Sequence, residues 1–311
     1  MRHAWLTALV LAAALPLSAA TPVAAPTPVP LLWKVSDKDN SVYLLGSFHM
    51  LRKSDYPLSK DVDAAYADAE SLVFELSPDE MLSKELGAQM AAAALRTDGT
   101  TLADDLSPEL AKRFDAWTTK NAGALANTGT PAAILQMLEP WFVSMLVTIV
   151  DAHALGFESE LGMDAHLGGN AKRDGKPATG LESGAQQLAM LDGMTKQEQL
   201  QMLGESLAET SDKGELEALH SGWRSGDADK LWRTMGADMQ KEYPSLYRRI
   251  NVDRNDAWVP KLEARLRAPG TDDTLVVVGA LHLLGSDGVV EKLKKKGYTV
   301  ERVCSACKTT R

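Results

Sequence analysis

Cysteine is almost absent from this chain: its 311 residues include two, Cys304 and Cys307, close to the C-terminal end. A zinc site built on this C-x-x-C would need two further soft ligands, and there is no second cysteine pair to supply them. In an exported chain the pair predicts instead a small disulfide that ties down the tail. Basic surface is also scarce. The net charge is −9, and the one run of lysines, Lys292 with Lys294, Lys295 and Lys296, reads as a solvated helix end. That excludes a nucleic-acid surface. Long apolar runs are missing from the body of the chain: Trp141 to Val150, its most apolar stretch, is too short to span a bilayer and reads as a core helix closed by Asp151. Several catalytic devices are missing too. There is no G-x-S-x-G elbow, no H-E-x-x-H helix and no Walker loop, and Gly168-Gly169 is not a phosphate cradle.

The N-terminal stretch has the form of an export signal. Arg2 gives a short positive region, Ala4 to Leu17 an apolar segment shorter than a membrane span, and Ser18-Ala19-Ala20 small residues at the usual cleavage positions. No cysteine follows, which excludes a lipid-anchored lipoprotein. Residues 1–20 are therefore read as a signal peptide, with an uncleaved anchor as the alternative. Thr21 to Pro30 reads as a mobile Pro/Ala-rich leader. The mature chain is expected in the periplasm or secreted, with no stable membrane insertion after cleavage. An apolar fraction of 45% and a charged fraction of 24% are those of a soluble globular protein, and the length suits one large domain or two medium ones.

Histidine is rare as well, six in all, and two of the six share one context. Val42 to His49 and Leu275 to His282 each run as an apolar strand, a glycine, two residues and a histidine. An unbroken apolar run of this length suits a strand buried on both faces. The glycine lets the chain turn or another group approach closely. Each histidine then falls at the carboxyl end of a buried strand, where open α/β sheets place their ligands. Either one alone would read as a core histidine satisfying a carbonyl; the repetition points to a shared site.

In chain order, Leu31–Val35 and Ser41–Leu45 flank a turn and predict a hairpin that delivers His49. Ser59 caps a helix to about Ala69, and Ser71 to Ser77 is a strand carrying Glu75. Ser77-Pro78 opens helical structure that continues to about Leu155, an insertion over about residues 78–160 that roofs the sheet. A helix follows from Gly162 towards Arg173, then a short strand ending in Glu182, then helices through a turn at Trp223–Asp227 to a long segment around Arg254. After the His282 strand, Ser286-Asp287 are expected to cap a helix through Lys296, and Gly297 to Val303 closes the sheet.

Four predicted strands thus end in a residue able to bind metal: His49, Glu75, Glu182 and His282. If their carboxyl ends align, two imidazoles and one or two carboxylates meet at one rim. That set suits Zn²⁺, Mn²⁺, Co²⁺ or Fe²⁺, and such an ion activates water for hydrolysis. A carboxylate that does not ligate is a candidate general base. Arg254 suggests a partner for a substrate anion or for one of these carboxylates. Asp164 reads as a helix cap and His166 as a weak ligand candidate, while His153 and His220 sit in helices without companions.

The paired Gly-x-x-His strands, Glu75 in Leu-Val-Phe-Glu, Gly180-Leu-Glu182, Trp223-x-x-Gly-Asp, Arg254-Asn255 and Val278 to Gly285 resemble the TraB/PrgY/GumN family. The likeness runs from about Trp33 to Val303 and is greatest to the exported bacterial GumN-type branch. The family includes the Tiki proteins, metal-dependent proteases whose two Gly-x-x-His motifs and a glutamate form the site. The resemblance implies metal ligands at His49, Glu75 and His282, catalytic-site places for Glu75, Glu182 and Arg254, and a peptide or other small hydrolysable substrate. It also admits a metal- or haem-binding or regulatory protein of the same fold. The expected architecture is a single α/β domain over about 31–304, with a central mixed, largely parallel sheet flanked by helices, a large helical insertion and a tail at 305–311.

Overall fold

The computed structural model describes residues 26–127, 129–209 and 213–307. The predicted export signal, residues 1–20, lies outside them. Six strands form one sheet: β1 (Leu32–Ser36), β2 (Ser41–Ser47), β3 (Ser71–Leu76), β4 (Ala178–Glu182), β5 (Thr274–Gly279) and β6 (Thr299–Arg302). Their order across the sheet is β4-β3-β5-β2-β1-β6. The pairs β4/β3, β3/β5 and β5/β2 are parallel, while β1 runs antiparallel to β2 and to β6. The expected α/β fold with a mixed, largely parallel sheet is what the chain adopts.

The two histidine strands are the centre of this sheet. All seven residues of β2 are buried, as are the first five of β5. Successive strand residues point to opposite faces, so unbroken burial means that both faces are covered. Leu44, Leu45, Val276 and Val277 are among the side chains fully enclosed here, each worth about 1.5–3 kcal/mol relative to exposure. Glycine serves close approach in this layer. A Cβ on Gly46 would lie 3.1–3.3 Å from Leu31 and Ala280, and the Gly46 carbonyl accepts from Trp223 Nε1 at 3.1 Å.

Helix starts follow their local signals, with three departures. Ser59 and Ser77 accept from the backbone N–H three residues on, as caps for the helices Lys60–Asp68 and Pro78–Met81. The apolar helix runs Pro140–Ala154 and does not stop at Asp151, whose carboxylate is occupied by Trp117 Nε1 at 2.9 Å. The helix after β5 is Val289–Lys295 with Gly288 at its N-cap, not Ser286-Asp287. The Asp287 carboxylate accepts instead from Gln240, and its backbone carbonyl from Asn255. The stretch after Ser77 is broken into short helices by a fresh cap at Ser83 and by the positive φ of Gly99.

Two apolar cores result. One lies against the sheet; the other joins Phe114, Trp117, Trp141 and Val147 of the insertion to Leu203 and Leu207. The helical layer therefore recruits the helix Lys196–Glu209, which comes after β4 in the chain. The end of the Pro/Ala-rich segment is docked: Val29 N–H donates to Arg224 O, and Pro26 O accepts from Arg224. The Cys304–Cys307 disulfide is formed, and Ser305 beside it bonds Asp61. Among the described residues no helix is long and apolar enough to cross a membrane.

Candidate functional site

Because β4, β3, β5 and β2 are parallel neighbours, their carboxyl ends share one edge of the sheet. Glu182, Glu75, His282 and His49 stand there in that spatial order. His49 Nε2 and His282 Nε2 both lie 3.9 Å from Glu75 Oε1. A Cβ built on Gly279 would meet Glu75 Oε1 at 3.1 Å, His49 Nε2 at 3.2 Å and His282 Cδ2 at 3.7 Å. The glycine of the second Gly-x-x-His thus leaves open the space on which the three side chains converge.

Each imidazole is fixed through its other nitrogen. His49 Nδ1 bonds Asp164 Oδ2 at 2.9 Å and His282 Nδ1 bonds Asn255 Oδ1 at 2.7 Å. An acceptor on Nδ1 assigns the proton there and turns Nε2 towards Glu75. Asp164 reaches His49 because the helix Met163–Asp174 starts against the His49 loop. Met163 N–H donates to Phe48 O, and a Cβ on Gly162 would fall 2.0 Å from His49 O. Only glycine fits there.

The surroundings of the two rings differ. The His282 side chain is 9% exposed and tilts against Trp258 at 4.4 Å, whereas that of His49 is 61% exposed and forms the open side. The Asp164 carboxylate raises the His49 pKa to about 9, with Glu75 assisting and the Arg254 charge opposing. Burial pushes His282 down to about 3, the Arg254 and His49 charges adding to it and Glu75 opposing. For Glu75, burial works against ionisation. The positive charge gathered around it, from His282 when protonated, Arg254 and His49, together with the Gly279 N–H, outweighs burial and holds it well below the usual carboxylate range.

Arg254, 14% exposed, clamps the two glutamates. Its Nη2 donates to Glu75 Oε2 at 2.6 Å and to Glu182 Oε2 at 2.9 Å, its Nε to Glu182 Oε1 at 2.9 Å, and its Nη1 to His282 Nε2 at 3.1 Å. Trp258 Nε1 donates to Glu182 Oε1 at 2.8 Å. Of the two roles its sequence context suggested, Arg254 takes that of carboxylate partner. The Glu182 oxygens are occupied, so Glu182 has no free base to offer as it stands.

The five residues singled out by sequence therefore meet at one rim. Three more belong to the same cluster. Asp164 had the look of a cap, yet Gly162 holds the N-cap position; Asn255 was visible only as the neighbour of Arg254, and Trp258 one turn further on carried no signal. His166 lies apart, bonded to Asn170 and against Tyr56. His220 is buried with Asp55.

Fit to a metal ion rests on donors and charge. Among the described residues no three His, Cys, Asp or Glu side chains are close enough to hold an ion as they stand. Donors about 2.0–2.1 Å from one tetrahedral ion are about 3.3 Å apart, so the 3.9 Å separations would have to close by roughly half an ångström. His282 Nε2 would also exchange its bond from Arg254. In favour, Glu75 and Glu182 share the single guanidinium of Arg254, and a third carboxylate, Asp164, lies on His49. With neutral imidazoles that leaves uncompensated negative charge, a balance that a dication restores and that the raised His49 pKa expresses through a proton.

In comparison with known proteins, residues 31–302 match the profile of the TraB/PrgY/gumN family. The chain is 30% identical over 155 residues to YbaP of Escherichia coli (strain K12) and likewise to YbaP of Shigella flexneri. The aligned part is 50% of this chain and 56% of each relative, so the chain spans about half the length of the curated relatives it matches. No solved structure matches it.

Proposed function

The chain belongs to the TraB/PrgY/gumN family, and from that premise we propose that it is a metal-dependent hydrolase of the peptidase class, acting outside the cytoplasm. One observation carries the reading. Two imidazoles from different strands have Nδ1 committed to Asp164 and Asn255, and both turn Nε2 on the same oxygen of Glu75. Fixing Nδ1 in this way is how proteins orient histidines that ligate through Nε2. His49, His282 and Glu75 would hold the ion, drawn from Mn, Co, Zn or Fe, and when bound it would supply Lewis acidity and a more acidic water.

The other residues have positioning roles. Arg254 keeps Glu75 ionised and aimed, and Glu182 with Trp258 keeps Arg254 in place. Asp164 orients His49, whose exposed face leaves room for a substrate carbonyl. Hydrolysis would break the C–N bond of a peptide, the water oxygen going to the acyl carbon and a proton to the leaving amine. The N-terminal signal supports export, and the Cys304–Cys307 disulfide suits an oxidising compartment. An N-terminus near Thr21 in native protein, by mass spectrometry, tests that part.

The bond from Arg254 Nη1 to His282 Nε2 favours a second reading, a binding or regulatory protein of the same fold without turnover. Chelator-treated protein reloaded with each of the four metals and assayed against peptide and ester panels separates the two. Hydrolysis restored by metal and lost in Glu75→Gln supports the enzyme. Binding without turnover under every metal supports the alternative.

A further inference from the structure

Beside Glu182 and Arg254 lies a cavity of about 250 Å³ that no histidine lines. It is small beside the roughly 300–1,000 Å³ of pockets for drug-sized ligands. Met190, Ala257 and Trp258 give it apolar walls. Its polar groups are lopsided. Glu182 is occupied by Arg254 and Trp258, and Asp253 is paired with Arg248. Donors, by contrast, have capacity left. Lys261 gives one hydrogen bond, to Leu181 O, and among the described residues it pairs with no carboxylate. Arg249 reaches Glu198 through Nη2 at 3.3 Å, but its buried Nε–H has no acceptor among the described residues. A pocket with apolar walls, spare donors and, among the described residues, one cation without a carboxylate, Lys261, selects a ligand that joins a carboxylate to an apolar group.

We propose that this cavity receives the free C-terminal carboxylate of a short peptide, with Lys261 and Arg249 as its charge partners. The proposal rests on the hydrolase reading and names which end of the substrate the site takes. Length follows from the helix Asp253–Leu266. Arg254 and Lys261 are seven positions apart on it, about 10 Å between their backbones at 1.5 Å per residue, and their side chains converge on the neighbouring residues Glu182 and Leu181. An extended peptide covers that distance in at most about three residues. The chain would therefore release short C-terminal fragments. Arg254 borders both the cavity and Glu75, so a peptide held by its carboxylate at Lys261 extends back towards the rim where His49 and His282 stand.

The test separates this proposal from the hydrolase reading by measuring binding without turnover. Chelator-treated full-length protein is titrated calorimetrically with a tetrapeptide of three alanines and a C-terminal leucine, as free acid and as C-terminal amide. The acid is expected to bind at least about tenfold more tightly. Lys261→Met should erase that preference and Lys261→Arg should retain it; Lys261 is exposed, so both variants are expected to fold, with melting curves as the check. Equal affinity for acid and amide, a preference that survives Lys261→Met, or no binding of the acid at millimolar concentration would overturn the proposal. An acid preference in a protein that hydrolyses nothing would uphold it while removing the hydrolase reading.

Discussion

Replacing Gly279 by alanine puts one methyl group into the space on which His49, Glu75 and His282 converge. The backbone there, φ −50° and ψ 135°, is open to any L-residue, so alanine adds no backbone strain. The methyl carbon would stand 3.1 Å from Glu75 Oε1 and 3.2 Å from His49 Nε2. Both contacts are tighter than ordinary packing and ease if the side chains retreat by a few tenths of an ångström. Overpacking of this size costs about 1–3 kcal/mol, and the loss of glycine freedom in the unfolded chain returns about 0.4–1 kcal/mol. A net destabilisation of about 1–2 kcal/mol lowers Tm by roughly 3–6 °C in a domain of this size. Metal binding should suffer far more, because the methyl group holds apart the donors that must close on the ion. Altering even the outer partners of metal ligands costs about 10–100-fold, and occlusion should cost at least the upper figure. Competition titration of Zn²⁺ and Mn²⁺ against a chromophoric chelator, beside a thermal melt, measures both quantities. Metal affinity equal to that of the unsubstituted chain would refute convergence at this point. A Tm loss well beyond 10 °C would refute the packing arithmetic.

Asp55 is fully buried, its carboxylate bonded to His220, Arg224 and the Arg52 N–H. Burial pushes its pKa up, but these bonds outweigh burial and lower it, so its stabilisation is present above the unfolded value of about 3.9 and is lost as pH falls below it. Asp55→Asn should therefore cost about 3–5 kcal/mol at neutral pH. In urea titrations its gap to the unsubstituted chain should narrow below about pH 4, and a gap unchanged by acid would contradict the assignment. Arg254→Met leaves Glu75 and Glu182 buried without their cation and should destabilise by about 3–5 kcal/mol; a urea midpoint close to the original would show that the clamp adds no stability. Asp164→Asn keeps a hydrogen-bond acceptor for His49 but removes the charge that raises its pKa. The His49 ring should then titrate nearer 6.5 by NMR, and a shift that stays near 9 would assign the effect elsewhere.

The sheet was legible because β2 and β5 are too evenly apolar to be anything but strands covered on both faces, and each ends in the same glycine-histidine spacing. Glu75 and Glu182 were legible for the same reason: a carboxylate closing a short apolar run has one edge of a parallel sheet to occupy. What stayed hidden depends on contacts between distant segments. Asp164 lies 115 positions from His49 and sits in a helical first turn, where aspartate is common without any partner. Its role comes from the close seating of Gly162 on the His49 carbonyl, which no local pattern encodes. Trp258 is an apolar helix residue by sequence, and only the end of β4 turns its indole into a donor for Glu182. Asp287 had the composition of a cap, but Gln240 takes its carboxylate and Asn255 its backbone carbonyl, and the helix starts later, with Gly288 at its N-cap.

The central claim is that His49, Glu75 and His282 hold one metal ion. Elemental analysis of the purified full-length chain after loading and desalting, beside His49→Ala and His282→Ala prepared alike, tests it most directly. The account predicts about one ion per chain in the unsubstituted protein and less than about a tenth of that in each variant, since removing a ligand leaves too few donors for a structural or catalytic site. Equal metal content in all three proteins, or none in any of them, would contradict it.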